Sequence, residues 1–182
     1  MPRKSAPLAL EYILLAVLDE KSCHGYDLFR ELNELHAIQL IWNLKQSMLY
    51  ALLEKLEHEG LIVGQIVVGE SRPSRREYSL TNHGRQTLLD WMGSPVKHGR
   101  EMRQDFLARL YFASKKNNQT ALALVEKQKK ECCLWLDGWQ KQKKDLERVG
   151  GYDHFVITFR ISQVQAMLDW LETCQDELLE QK

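Results

Sequence analysis

Three short amphipathic segments in succession, followed by an Ile/Val-rich run and a second, shorter strand candidate around a basic turn, limit the folds open to this chain more than any other feature. Residues 8–20 read LALEYILLAVLDE. Leu10, Ile13, Leu14, Val17 and Leu18 recur there at the three-and-four spacing that lines one helix face. The run from Lys21 to Gly25 breaks the pattern. A second helix is predicted from Tyr26 to His36, with Leu28, Leu32 and Leu35 on one face, and an irregular apolar stretch from Ile38 to Trp42 follows it. The third helix, 45–59, carries Leu49, Leu52, Leu53 and Leu56, and Gly60 stands just past it where a left-handed cap is expected. Residues 61–68 and 76–80 read as two strands, and the Gly-, Pro- and Arg-containing stretch 69–75 between them reads as a turn. Thr81 then fits the N-cap of a fourth helix that runs to Trp91. With 4 prolines and 10 glycines in 182 residues, few breakers oppose this helical reading.

Beyond Trp91 the sequence changes character. Residues 93–99, GSPVKHG, read as a linker, and helices are predicted at 101–116, 119–148 and 153–180. In the last of these Ile161, Val164, Leu168 and Leu171 alternate steps of three and four, and Leu178 continues the register, which is the seam of helix–helix packing. Gln175 interrupts it, so a short bundle is expected in place of a long coiled coil. The fold class that follows is mainly α with a small β-hairpin wing: a winged helix-turn-helix over 1–92, a linker over 93–99 and a helical dimerisation domain over 100–182.

The order helix, helix, helix, hairpin carries a functional expectation. An α-helix fits the major groove of B-DNA, and the helix before it crosses the backbone and braces it. The leucine stripe anchors the third helix and leaves its first turns free. Lys45, Gln46, Ser47 and Tyr50 stand on that free surface, where Gln and Ser read base edges while Lys and Tyr hold phosphates. Arg72, Arg75 and Arg76 give the wing three cations suited to phosphate or the minor groove, and Arg3 and Lys4 add a basic arm. Glu54 and Glu57 repel phosphate, which confines the contact to the first two turns. The whole chain is neutral, with 25 basic and 25 acidic residues, so a basic face has to be local.

The motifs resemble the PadR family of transcriptional regulators. SMLYALLEKLEHEGLI (47–62) resembles its signature of a Tyr, a Leu-rich helix and a closing Glu-Gly-Leu. REYSLTNHG (76–84) is similar to its second wing strand and the Thr-x-x-Gly start of the next helix, and His24-Gly25-Tyr26-Asp27 to its opening of helix two. The likeness covers residues 8–92. The C-terminal half resembles the longer branch related to virulence-gene activators, in helix count, aromatic content and the segment from Asp105-Phe106-Leu107 to Phe112. The resemblance implies a dimeric DNA-binding repressor. It places Tyr50 and residues 45–47 in the recognition helix and Arg75-Arg76 in the wing. Ala51 stands where many members carry proline, which makes the helix more regular.

Other functions find less support. No nucleophile elbow, phosphate-binding glycine loop or His-Glu-x-x-His motif is present, so no enzyme is expected. No Cys/His spacing suits zinc, and no cofactor or metal is expected. The four cysteines read as reduced thiols, and Cys132-Cys133 as buried helix residues. No run of eighteen apolar residues or signal-peptide pattern occurs, which predicts a cytoplasmic protein without a membrane partner. Trp135 and Trp139, four apart on one helix, are either packing residues or the walls of a site for an aromatic small-molecule effector, a ligand class that some PadR members bind. The partners expected are therefore a double-stranded operator, a second copy of the chain and, as an alternative, that effector. A winged helix serving as a protein-interaction adaptor is the remaining alternative.

Overall fold

The computed structural model describes residues 9–42, 45–67, 75–146 and 151–180. Its contacts divide the chain into two units, one formed by the chain up to Met92 with Leu107–Phe112, the other by Gly93–Phe106 with Ala113 onward.

In the first unit, α1 (Ala9–Glu20) is buried along most of its length, with Ile13, Leu14 and Leu15 fully enclosed. Next come β1 (Cys23–His24), α2 (Gly25–Glu34) and the short α3 (His36–Gln39), then α4 (Gln46–His58), β2 (Ile62–Val67), β3 (Arg75–Leu80) and α5 (Asn82–Met92). The strands form one antiparallel sheet in the order β1-β3-β2, with Ile62 opposite Leu80, Val67 opposite Arg75 and Cys23 opposite Tyr78. Two details correct the sequence reading. The break at 21–25 contains a strand, and the irregular segment after helix two contains α3, which buries Ile38. Both are too short to show a period.

The hydrophobic stripes account for the core. Leu28 from α2, Leu49, Leu53 and Leu56 from α4, Ile62 from β2 and Leu88 from α5 are all fully buried. Glu11 is buried with them, and Lys55 Nζ of α4 donates to its Oε1 at 2.6 Å, which ties α1 to α4. Gly60 takes the left-handed conformation expected after α4, at φ 71°. The Thr81 hydroxyl donates to the Gly60 and Leu61 carbonyls (2.8 and 3.0 Å) and accepts from the Gly84 amide (3.0 Å), capping α5. A Cβ on Gly84 would overlap the Leu61 carbonyl oxygen and lie 2.9 Å from its carbon, so glycine alone lets α5 start this close to the sheet.

Past Met92 a 3-10 turn (Gly99–Arg103) of the second unit precedes α6 (Asp105–Lys116), whose middle, Leu107–Phe112, belongs to the first, so the predicted helix 101–116 is broken at Gln104. Glu101 explains the break: its carboxylate accepts from the amides of Lys97 and His98, each at 3.1 Å, and closes a separate turn. The Asn117 side chain caps α7 (Asn118–Leu146) by accepting from the Thr120 amide at 2.8 Å. α7 lies antiparallel to α8 (Tyr152–Glu180), and Asn118 Nδ2 at its start donates to the Leu178 carbonyl at 3.2 Å.

The segment 93–99 is docked along α7. Gln128, fully buried, accepts from the Val96 amide (2.8 Å) and donates to the Val96 carbonyl (3.3 Å). Lys127 Nζ donates to the Gly93 carbonyl (2.7 Å), and Lys97 pairs with Glu131. A buried amide with both ends satisfied holds its partner backbone in place.

Candidate nucleic-acid interface

The burial of α4 is one-sided. Leu49, Leu52, Leu53 and Leu56 face the core, while Lys45, Gln46, Ser47, Tyr50, Ala51 and Glu54 face solvent. Lys45 is the N-cap residue, with extended backbone, and its carbonyl accepts from the Met48 and Leu49 amides (3.0 and 3.2 Å). The Lys45 side chain makes no capping bond to this end, so it leaves the positive pole of α4 open beside its ammonium. The four predicted contacts thus lie on one outward surface.

Tyr50 is fixed on one flank and open on the other. A Cβ on Gly25 would lie 2.9 Å from Tyr50 Cε1, so the ring rests over the first turn of α2 where glycine leaves room. Tyr50 as a whole remains 45 % exposed. The Gly-Tyr opening of helix two and the motif tyrosine stand apart in the sequence, and the fold brings them into contact.

On the wing, Arg75 is exposed at the start of β3. Arg72, and the basic arm at Arg3 and Lys4, lie outside the described residues. Arg76 is also exposed, but its guanidinium is engaged within the protein. Its Nη2 donates to both oxygens of Glu57 (2.7 and 2.8 Å), and its guanidinium stands 5.8 Å from the centre of the Tyr78 ring. The Gly64 amide donates to the same Glu57 Oε1 at 3.0 Å. Sequence reading treats Glu57 only as a repulsive charge and misses this cluster. The available signal is Gly64 itself, a glycine inside an Ile/Val strand, which marks a close approach by another group.

The second unit holds an open cavity of about 580 Å³, lined on α7 by Leu134, Trp135, Gly138 and Trp139, and on α8 by Arg160, Gln163, Val164 and Met167, with Lys97–Arg100 at its rim. Trp135 and Trp139 are half-buried and border this space. The α8 seam is divided. Val164, Leu171 and Leu178 join Ile157 in a heptad line buried in the packing of α8 on α7, whereas Ile161 and Leu168 are half-buried. Tyr152, Phe155 and Phe159, spaced by three and four on the first turns of α8, are 80, 68 and 59 % exposed.

All four cysteines are free thiols. Burial pushes the Cys23 thiol up to about 11 and raises Cys132 and Cys174 as well, which keeps these three protonated at neutral pH. Cys132 is buried as expected, but Cys133 is exposed on α7, because adjacent helix residues point in different directions. Among the described residues no helix is long and apolar enough to cross a membrane, and no three His, Cys, Asp or Glu side chains gather as metal ligands.

An outward helix, braced by a preceding helix across Gly25 and Tyr50 and flanked by a β-hairpin, defines a winged helix-turn-helix protein, here with a helical C-terminal region. Two family models account for most of its length: the transcriptional regulator PadR-like family over residues 14–90 and the virulence activator alpha C-terminal region over 102–178. The chain belongs to the PadR-like family of transcriptional regulators and carries its C-terminal extension. It is 27 % identical to the negative transcriptional regulator PadR of Bacillus subtilis, over 90 % of this chain and 94 % of that one. It is 22 % identical to the probable transcriptional regulator Rv1176c of Mycobacterium tuberculosis, over 96 % of this chain and all of that one. Among solved structures it is similar to B. subtilis PadR crystallised with operator DNA, at 23 % identity and TM-score 0.47, covering 96 % of this chain and 99 % of that one.

Proposed function

We propose that this chain is a cytoplasmic repressor that acts without catalysis, binding a pseudo-palindromic operator as a homodimer. The observation that carries the reading is the one-sided burial of α4, which leaves Lys45, Gln46, Ser47 and Tyr50 together on the outward surface next to the wing. Gln46 and Ser47 read base edges, while Lys45, Tyr50 and the wing residues Arg72 and Arg75 hold phosphates. The repressor sign follows the name of the B. subtilis relative, a negative regulator. The winged helix over 1–92 meets DNA, 93–99 connects it, and 100–182 dimerises.

Two-fold symmetry places the two recognition helices in successive major grooves, about 34–36 Å apart. Inserting half a helical turn, about 5 base pairs, between the half-sites of a bound operator is expected to abolish binding, and a full turn to restore part of it. Binding indifferent to spacing would exclude the symmetric dimer.

The dimer surface needs revision from the sequence expectation. Val164, Leu171 and Leu178 are already engaged within the chain, so the partner meets the aromatic stripe Tyr152, Phe155 and Phe159, together with Ile161 and Leu168. An exposed stripe of three aromatics is the kind of surface that association covers. Phe155→Ser with Phe159→Ser is expected to halve the mass seen by sedimentation equilibrium while leaving the helical circular-dichroism signal unchanged. A double variant that sediments like the wild type would move the interface elsewhere.

A second reading concerns regulation. The cavity bordered by Trp135 and Trp139 has the volume of a small-molecule site, and Arg100 and Arg160 around it favour an anion. A flat aromatic acid combines both features. Titration with hydroxycinnamic and benzoic acids is expected to quench tryptophan fluorescence, and Trp135→Leu with Trp139→Leu to abolish the quench. An unchanged signal across that panel would leave the cavity without this role.

A further inference from the structure

Glu57 sits on the helix that faces DNA, carries the wrong charge for phosphate, and has both carboxylate oxygens engaged. Oε1 accepts from the Gly64 amide of β2 at 3.0 Å and from Arg76 Nη2 of β3 at 2.7 Å, and Oε2 accepts from the same Nη2 at 2.8 Å. One side chain of α4 therefore holds both strands of the wing. Gly64 makes the arrangement possible, because a Cβ there would lie 2.5 Å from Arg76 Nε and 3.0 Å from Glu57 Oε1. The Tyr78 ring supports the guanidinium, and His24 Nδ1 lies 3.3 Å from the Arg76 carbonyl oxygen, so β1 adjoins the same residue.

We infer that Glu57 is the positioning residue of the wing, and that Arg76 is its intramolecular counter-charge and not a DNA contact. This rests on the DNA-binding reading above. The physical ground is that a guanidinium already paired with both oxygens of a carboxylate has satisfied its charge within the protein and releases few counterions when DNA arrives. Buried Ile62 and the pairing of β1 with β3 fix the base of the hairpin, and contacts further along the strands set the angle at which it stands against α4. The Glu57 clamp sets that angle, so that Arg75 reaches phosphate while Gln46 and Ser47 are in the groove. Preorganisation of this kind lowers the ordering cost of binding.

The two assignments of Arg76 predict opposite effects of removing Glu57. If Arg76 contacted phosphate, Glu57→Ala would release a cation and strengthen binding. If Glu57 positions the wing, Glu57→Ala weakens it. The test uses the full chain and the duplex that wild-type protein enriches from fragments of its source genome. Affinity is measured across a range of salt concentrations, and the footprint by hydroxyl-radical cleavage. Glu57→Ala and Arg76→Ala are each expected to weaken binding about 10–100-fold and to lower the salt slope by about 1 for each phosphate that the wing no longer holds. The double variant is expected to be no weaker than either single one, as coupled partners require. The footprint is expected to lose protection at the wing and keep it in the major groove, a pattern that general unfolding would not give. Gly64→Ala, which changes no charge, is expected to reproduce the footprint by displacing Arg76. Equal or tighter binding by Glu57→Ala, or additive losses in the double variant, overturns the inference while the DNA reading stands. Wild-type protein that enriches no duplex overturns both.

Discussion

Reversing charge at Lys45 and Arg75 together is expected to abolish operator binding without unfolding the protein. Both side chains are exposed, one at the N-cap of α4 and one at the start of β3, so neither substitution disturbs the core. Removing one phosphate-holding cation weakens binding on the order of tenfold and lowers the salt slope by about 1, so a dimer without four of them binds roughly 10⁴-fold more weakly. Replacing attraction with repulsion adds to that loss. Gel-shift titration of Lys45→Glu with Arg75→Glu, beside a thermal melt, checks the expectation. A melt like that of the wild type with binding reduced less than about tenfold would remove these two residues from the interface. A winged helix that serves as an adaptor would tolerate the same change in its protein partnership.

Gly84→Ala is expected to give the largest loss of stability from a single added methyl group. The methyl has no space: it would overlap the Leu61 carbonyl oxygen and press on Leu80 Cδ1 at 2.8 Å. Leu80 can move, but the Leu61 carbonyl is also the acceptor for the Thr81 hydroxyl and amide, so moving it undoes the α5 cap. A clash with backbone belongs at the upper end of overpacking costs, about 3 kcal/mol. For a chain of this size that lowers Tm by roughly 6–12 °C. Calorimetry of the variant checks it, and a Tm within about 2 °C of the wild type would show that α5 can slide away at little cost.

How far the sequence reveals this fold depends on the range of each interaction. The leucine stripe of α4 and the Thr81 cap act within a few residues, and both can be read directly. The role of Glu57 is hidden because its partners, Gly64 and Arg76, lie 7 and 19 residues away and come together only when the hairpin folds back on α4. The docking of 93–99 is hidden for a similar reason. Its Gly, Ser and Pro favour a loop, but Gln128, a polar residue 32 positions from Val96, fastens it to α7. The α8 seam shows a different limit. Periodicity tells that a helix face is covered, and the pattern is the same whether α7 or a second copy covers it. Val164, Leu171 and Leu178 turn out to face within the chain, and the stripe left open begins at Tyr152, earlier than the seam. The Trp135–Trp139 pair is ambiguous in sequence because four-residue spacing places two side chains on one face whether that face meets a core or a cavity.

On the proposed function, the outward face of α4 and the wing read a specific duplex. Selection of purified protein against fragments of its source genome, at two salt concentrations, tests it most directly. A two-fold-symmetric site is expected to be enriched, with affinity that falls by roughly 10³–10⁵ between 50 and 200 mM salt if the dimer makes about 6–10 phosphate contacts. No enriched site, or binding indifferent to both sequence and salt, would contradict it.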